Sequence, residues 1–291
     1  MVLFYALGGG LGHLTRARRV LEALGLEREA ALLSASRYAR DPRVTGGVPV
    51  IEVPRRLGRD RAGFRRWLAA TLREIAPDEL IVDTFPAGIL GELSGLELPP
   101  SRLVARHLRW PAYRRRLGGP VPRYETAYLI EPLANPHSDV LGAIAQRLET
   151  LPLPLALPAA QADTPGESLH DGPHVVVVHS GPADELDELV ELAYEHRPAA
   201  AAGVVVVSPV APAHLPRGAV WRDVYPVGPH LPHAELVVTA AGWGAMHDTA
   251  RVRDRHRFVP FPRALDDQFA RAEAARRAVG VLGPAAVAAT L

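Results

Sequence analysis

The chain of 291 residues contains no cysteine. This removes disulfides, thiol nucleophiles and zinc–thiolate sites. Lysine is missing too: all 33 basic residues are arginines. A Walker A lysine, a Schiff base and a lysine general base are therefore excluded. Net charge is small, formally +1, which gives no global reason to expect a nucleic-acid partner. No apolar run approaches the roughly 20 residues of a membrane span. The 12 histidines fall into no HExxH or comparable ligand spacing, and Asp266-Asp267 is an adjacent pair rather than a DxD. Neither a metal nor a cofactor is expected. Ser180 and Ser208 lack a GxSxG frame, so nothing points to a serine hydrolase. The opening MVLFYALGGG has no basic n-region and reads as a first strand rather than a signal peptide. A cytoplasmic location is the expectation.

With 48% hydrophobic residues, a chain of this length can bury two cores of ordinary size. Val2 to Leu7 is apolar throughout, as central parallel strands are. Gly8, Gly9, Gly10 and Gly12 follow, and then a helix over Leu14 to Leu24 with Leu14, Ala17, Leu21 and Leu24 on one face and Gly25 as its C-cap. This is not a dinucleotide fingerprint. His13 stands where the third glycine should be, and the segment ALLSAS lacks a ribose-binding acid. Strands are expected at 31–34, 50–53, 79–83, 103–106 and 126–130, the last closing the first sheet. A helix spans Phe64 to Ile75, and a short one Gly88 to Leu93. Asp83 sits at a strand's C-terminal end, where open α/β sheets place ligands, or else caps the helix that follows Pro86.

From 135 the pattern decays into LPLPLALP and a stretch of small residues, read as a linker over 151–172. Residues 142–147 fit either a last helix or a crossing strand. A second sheet begins at His174 with four consecutive valines, followed by Ser180-Gly181-Pro182 and a helix with Leu186, Leu189, Val190 and Ala193 on one face. Strands at 203–208 and 220–224 and a proline-rich connection over 225–232 come next. Then Leu236 to Thr239 forms a strand, Ala240 to Ala245 a small-residue turn, and a helix opens around Met246. Such an arrangement points free backbone N–H groups beyond the strand end, a place for phosphate. Asp248 lies one turn into that helix, where it can accept from a sugar diol. A strand over 257–261 leads to Asp266, Asp267 and Gln268, with a last helix from 266 to 279 ending at Gly280.

The order of these blocks, a Gly-rich turn, an acid six positions after its first glycine, a strand ending in proline, then Asp-Gln and a helix, resembles the donor site of GT-B glycosyltransferases, in particular the family 28 enzymes that form lipid II. The GGGLGH loop near the start is similar to their GGxGGH loop. The resemblance implies an α/β fold of two Rossmann-like domains facing each other across a cleft. Residues 1–150 would bind the acceptor and 173–291 the nucleotide sugar, UDP-linked by analogy. It implies inverting sugar transfer to a hydroxyl, with His13 as the base. A histidine at a helix N-terminus is disfavoured in its protonated form and so suited to that task. The alternative for His13 is a residue that caps the helix or packs under the loop.

Carried over by position, Gly10, Gly12 and Asp83 belong to the acceptor-side loops. Ser180, Gly181, Tyr225, Val227, Gly242, Gly244, Ala245, Asp248, Asp267 and Gln268 belong to the donor site. Pro226 has no N–H, so reading of a uracil edge would fall to Tyr225 or Val227. The acceptor would be lipid-linked or a small glycoside. Arg109, Trp110, Tyr113, Arg114, Arg115 and Arg116 would provide a peripheral contact with the inner membrane face. Two departures from the family stand out: Asp248 replaces a usual Glu, and little chain follows Gly280 to cross back to the first domain. A nucleotide-sugar epimerase of the same fold and a non-catalytic nucleotide-sugar-binding protein are the competing readings.

Overall fold

Runs of valine and leucine that are apolar at every position need cover on both faces, and parallel sheets supply it. The structure is a computed structural model and describes residues 1–133, 135–155, 157 and 168–286. It forms two units. The first is Met1–Pro154 together with Ala264–Asp266; the second comprises Leu155–Arg263 and the described residues from Asp267 onward. Of the expected linker over 151–172, positions 156 and 158–167 lie outside the described residues.

Unit 1 runs β1 (Val2–Tyr5), α1 (Leu11–Leu24), β2 (Ala30–Ser34), α2 (Pro42–Thr45), β3 (Val50–Glu52), α3 (Arg61–Ile75), β4 (Glu79–Asp83), β5 (Ser101–Ala105), α4 (Trp110–Arg114), β6 (Tyr124–Leu129), α5 (Asn135–Ile144) and β7 (Ala145–Thr150). Its seven strands are all parallel, in the order β3-β2-β1-β4-β5-β6-β7. Leu3, Tyr5, Leu33, Leu80, Val82 and Leu103 point to one side, against Phe64, Leu68 and Leu72 of α3. Phe4, Leu32, Ile81 and Val104, the alternating positions, are equally buried. Gly25 closes α1 in the left-handed region, φ 67°, as expected of a C-cap.

Unit 2 runs β8 (His174–Val178), α6 (Ala183–Glu195), β9 (Gly203–Val207), β10 (Ala219–Arg222), β11 (Leu236–Ala240), α7 (Trp243–Asp248), β12 (His256–Val259) and α8 (Gln268–Ala286). Its parallel sheet has the order β10-β9-β8-β11-β12. Val175, Val177, Val204, Val206 and Val238 pack on Leu186, Leu189, Val190 and Ala193 of α6. Val176, Val205 and Val237 cover the other face with Leu231 and Val252.

The structure corrects the sequence reading at four places. The first sheet does not close at β6. Residues 142–147 split between the end of α5 and β7, which pairs with β6 at five positions. An edge strand whose side chains are mostly exposed carries no apolar run for periodicity to detect. The expected helix over 88–93 is absent. Gly88 and Gly91 sit at φ 83° and 81°, which no right-handed helix admits, and the segment is a series of turns. The helix after the Gly242 turn opens at Trp243 rather than Met246. The last helix neither begins at 266 nor ends at Gly280; it runs from Gln268 to Ala286.

Candidate active site

In both sheets the chain winds outward in one direction and then returns to wind in the other, and the loops after the two strands flanking that reversal diverge to leave a crevice at the carboxyl ends. In unit 1 the reversal lies between β1 and β4. The loop after β1 carries Gly8 to Gly12, and β4 ends at Asp83.

His13 is the third residue of α1, and its imidazole folds back over the loop: a Cβ at Gly8 would lie 2.0 Å from its Cδ2. Only glycine fits there. No such neighbour confronts Gly9, Gly10 or Gly12, all of which are exposed. Nδ1 of His13 lies 2.5 Å from Oδ2 of Asp83. One turn along α1, Arg16 donates through Nε to Oδ1 and through Nη2 to Oδ2, each at 2.6 Å. This is a bidentate fork. Thr84 Oγ1 donates to Oδ1 at 3.1 Å, and Arg106 Nε donates to Thr84 Oγ1 at 3.1 Å. Thr84 holds φ 68°, an uncommon conformation for a β-branched residue and one that clusters at functional sites. The Phe85 ring is tilted against the imidazole, centroids 5.8 Å apart.

Asp83 is fully buried, while 15% of the His13 side chain stays exposed. Burial alone would raise the Asp83 pKa, but Arg16 and His13 outweigh it and hold the carboxyl well below the usual carboxylate range. Burial lowers the pKa of His13; Asp83 pulls it upward, and Arg16 and Arg106 push it down again. The net result is a neutral imidazole at neutral pH. Because an ionised carboxylate can only accept, Nδ1 carries the proton and Nε2 presents a lone pair. The alternative of Asp83 as a helix cap lapses, since no helix follows Pro86.

In unit 2 the reversal lies between β8 and β11. Ser180 and Gly181 follow the first of these, and Gly242, Gly244 and Ala245 follow the second. Both glycine turns therefore stand at the crevice. The α6 turn is acidic: Asp184 and Glu185 occupy the first turn of that helix. Glu185 is held by the Arg263 guanidinium and lies 3.2 Å from His179 Nε2. A Cβ at Gly181 would be 2.6 Å from that same nitrogen. The α7 turn has no acid, so it is the better of the two for an anion.

Asp248 closes α7, with its carboxylate toward Gly228 of the connection that carries Tyr225 and Val227; a Cβ there would be 3.5 Å from Oδ1. Val227 is 9% exposed in the core, and its carbonyl accepts from His230 N. Asp267 caps α8, accepting from Ala270 N at 3.0 Å. Gln268 Oε1 accepts from Phe261 N at 3.0 Å, leaving its amide nitrogen 3.9 Å from where a Cβ on Gly242 would be. Asp266 belongs to unit 1 and is ion-paired with Arg106.

Sequence reasoning missed several neighbours of these residues. Arg16 was legible as the i+3 partner of His13 on one helix. Trp243 and His247 stack at 5.0 Å on α7 at the matching i+4 spacing. Beneath α7, Arg253 donates to Met246 O and to His256 Nδ1, and His256 Nε2 meets Thr239 Oγ1 at 2.9 Å. Nothing in the sequence pairs these. The expected aromatic membrane contact is corrected: Trp110 is 7% exposed and Tyr113 not at all. They stack on one another, and the Tyr113 hydroxyl bridges Ala87 N and Gly88 O. The core needed those rings, and of the six residues only Arg109 and Arg114 to Arg116 remain exposed. Among the described residues no helix is long and apolar enough to cross a membrane, and no cluster of three His, Asp or Glu could hold a metal.

No family model matches the chain, and no curated protein does. Solved structures do resemble it. The glycosyltransferase SnogD from Streptomyces nogalater aligns over 92% of this chain and 82% of its own, at 17% identity and a TM-score of 0.57. SsfS6, a glycosyltransferase of Streptomyces sp. SF2575, aligns over 99% and 89%, at 16% identity and 0.59. The calicheamicin glycosyltransferase CalG4 aligns over 97% and 84%, at 14% identity and 0.57. At such identities the likeness is one of fold, and that fold is GT-B, two Rossmann-like domains.

Proposed function

We propose that the protein transfers a sugar from a nucleotide sugar to a hydroxyl acceptor, with inversion. The observation that carries this reading is the His13–Asp83–Arg16 constellation at the crevice of unit 1. A neutral imidazole whose Nδ1–H is fixed on a buried carboxylate leaves Nε2 to take the acceptor's proton as its oxygen attacks the anomeric carbon. The bond to the diphosphate then breaks, and the imidazolium formed is stabilised by Asp83. Asp83 is the positioning residue, and Arg16 keeps it ionised and aimed.

Unit 2 would hold the donor. The acid-free turn before α7 offers N–H groups to the departing diphosphate, and Asp248 would accept from the ribose. Charge on the leaving group would be met by backbone N–H groups and arginine, since the chain has no lysine. A pyrimidine nucleotide, UDP or dTDP, is the donor proposed; the similar structure VinC, at 18% identity and a TM-score of 0.52, is a complex with DTDP.

The test is incubation with UDP-, GDP- and dTDP-sugars, with and without a panel of hydroxyl acceptors. Acceptor-dependent release of nucleotide with an inverted glycoside supports the proposal. Isomerised sugar without acceptor would make the protein an epimerase, and nucleotide-sugar binding with neither product a non-catalytic binder.

A further inference from the structure

One cavity in unit 1 is lined by none of the residues proposed for proton transfer or donor binding. It has a volume of about 240 Å³ and opens where β2 and β3 end, lined by Ser34, Ser36, Arg37, Arg40, Glu52 and Arg55. That is the carboxyl edge of the sheet, the side on which α/β folds bind ligands. It adjoins the loop that ends in His13, since the buried Ser36 hydroxyl donates to Gly10 O at 3.0 Å.

Its charge is unbalanced. Glu52 is paired with Arg40 at 2.5 Å. Arg37 lies over the Tyr38 ring at 4.8 Å, and neither it nor Arg55 has a carboxylate partner among the described residues. The cavity wall therefore carries three guanidinium groups against one carboxylate. Guanidinium forks match the planar or tetrahedral oxygens of carboxylate and phosphate. The cavity is smaller than the roughly 300–1,000 Å³ that encloses a drug-sized ligand, so it suits a single substituent rather than a whole molecule.

We infer that this cavity is an anion subsite for the acceptor, taking a phosphate or carboxylate group carried by the molecule whose hydroxyl His13 deprotonates. The inference rests on the proposed transfer reaction for the word acceptor. The anion subsite itself can be measured without turnover.

Calorimetry at low ionic strength with saturating UDP, which occupies any nucleotide site, would use phenyl phosphate and benzoate as probes and benzyl alcohol as the neutral control. Both anions should bind and the alcohol should not. Arg37→Ala with Arg55→Ala should weaken the tighter anion about tenfold or more, the scale of a lost charge-assisted contact, with UDP affinity and melting temperature unchanged. Glu52→Gln, which adds one net positive charge to the wall, should tighten it. Whichever of the two anions binds more tightly identifies the group. Equal binding by the double variant, equal binding of benzyl alcohol, or weaker anion binding by Glu52→Gln would overturn the subsite.

Transfer is then measured with 4-hydroxybenzoate against its methyl ester. The anion should be preferred in kcat/KM by wild type, and the preference lost in the double variant while the ester is unaffected. Preference for the ester would overturn the acceptor assignment. Failure to glycosylate any acceptor would overturn the transfer reaction instead, and the calorimetry would still decide whether the cavity binds anions.

Discussion

The two sheets reverse direction in the same way, and the two crevices so formed are built from opposite materials. At the β1/β4 crevice of unit 1 the chemistry lies in side chains: a buried carboxylate, an arginine fork and an imidazole bonded to one another. At the β8/β11 crevice of unit 2 it lies in backbone and small residues, with Gly242, Gly244 and Ala245 around the opening of α7. There the polar side chains already have local tasks: Asp267 caps α8 and Gln268 braces Phe261 N. Under the proposed reaction, the same topology would serve a proton transfer at one site, where a pKa must be set, and an anion contact at the other, where N–H groups must be left open.

The sharpest test of that contrast is His13→Ala. If side chains do the chemistry in unit 1, transfer should fall by about two to four orders of magnitude with UDP affinity nearly unchanged. Steady-state kinetics beside calorimetry reads both, and unimpaired transfer would end the base assignment.

Asp83→Asn comes next. It leaves Arg16 buried without its counter-charge, and breaking a buried pair costs roughly 3–5 kcal/mol, visible in urea unfolding. In wild type the depressed Asp83 pKa adds stability that is present above about 3.9 and lost as pH falls below it. The Asn variant should show no such loss from this site. Since Asp83 raises the pKa of His13, its removal should move the acid limb of kcat/KM to lower pH. A limb that stays in place would separate Asp83 from the base.

His13 titrates in the same sense. Its folded pKa lies below the ordinary value near 6.5, so its neutral form is favoured and stability falls as pH drops below about 6.5. His256, lowered well below its ordinary value by burial and then by Arg253 and Arg257, acts likewise. A scan of melting temperature from pH 8 to pH 5 should therefore decline toward acid. A flat scan would contradict the burial of these neutral imidazoles.

The mildest test falls in unit 2. Asp267→Ala removes a helix cap worth about 0.5–2 kcal/mol, whereas Asp267→Ser keeps one. If Asp267 also holds the sugar, the Ser variant should melt normally while KM for the donor rises. If KM is unchanged, Asp267 is a cap alone. EDTA should change nothing in either unit, and a strict requirement for Mg²⁺ would contradict leaving-group stabilisation by N–H groups and arginine.

The alternation of apolar runs with amphipathic helices was decisive by itself for two parallel α/β sheets. Val175 to Val178, apolar throughout, needs burial on both faces wherever it is placed. Glycine turns after strands likewise announced where the crevices would lie. Elements without an apolar period were not legible: β7 exists because β6 offers it a hydrogen-bonding edge, and the turns over 88–93 exist because Glu92 accepts from Ile89 N and Leu90 N. The site divides in the same manner. His13 and Asp83 could be named one by one, but their bond spans 70 residues, and only the β1/β4 pairing brings them together. Local sequence sets which backbone a segment prefers and which groups it carries. Whether an Asp caps a helix or holds an imidazole, and whether Trp110 meets a membrane or a core, depends on neighbours distant in sequence, so only the tertiary structure could decide it.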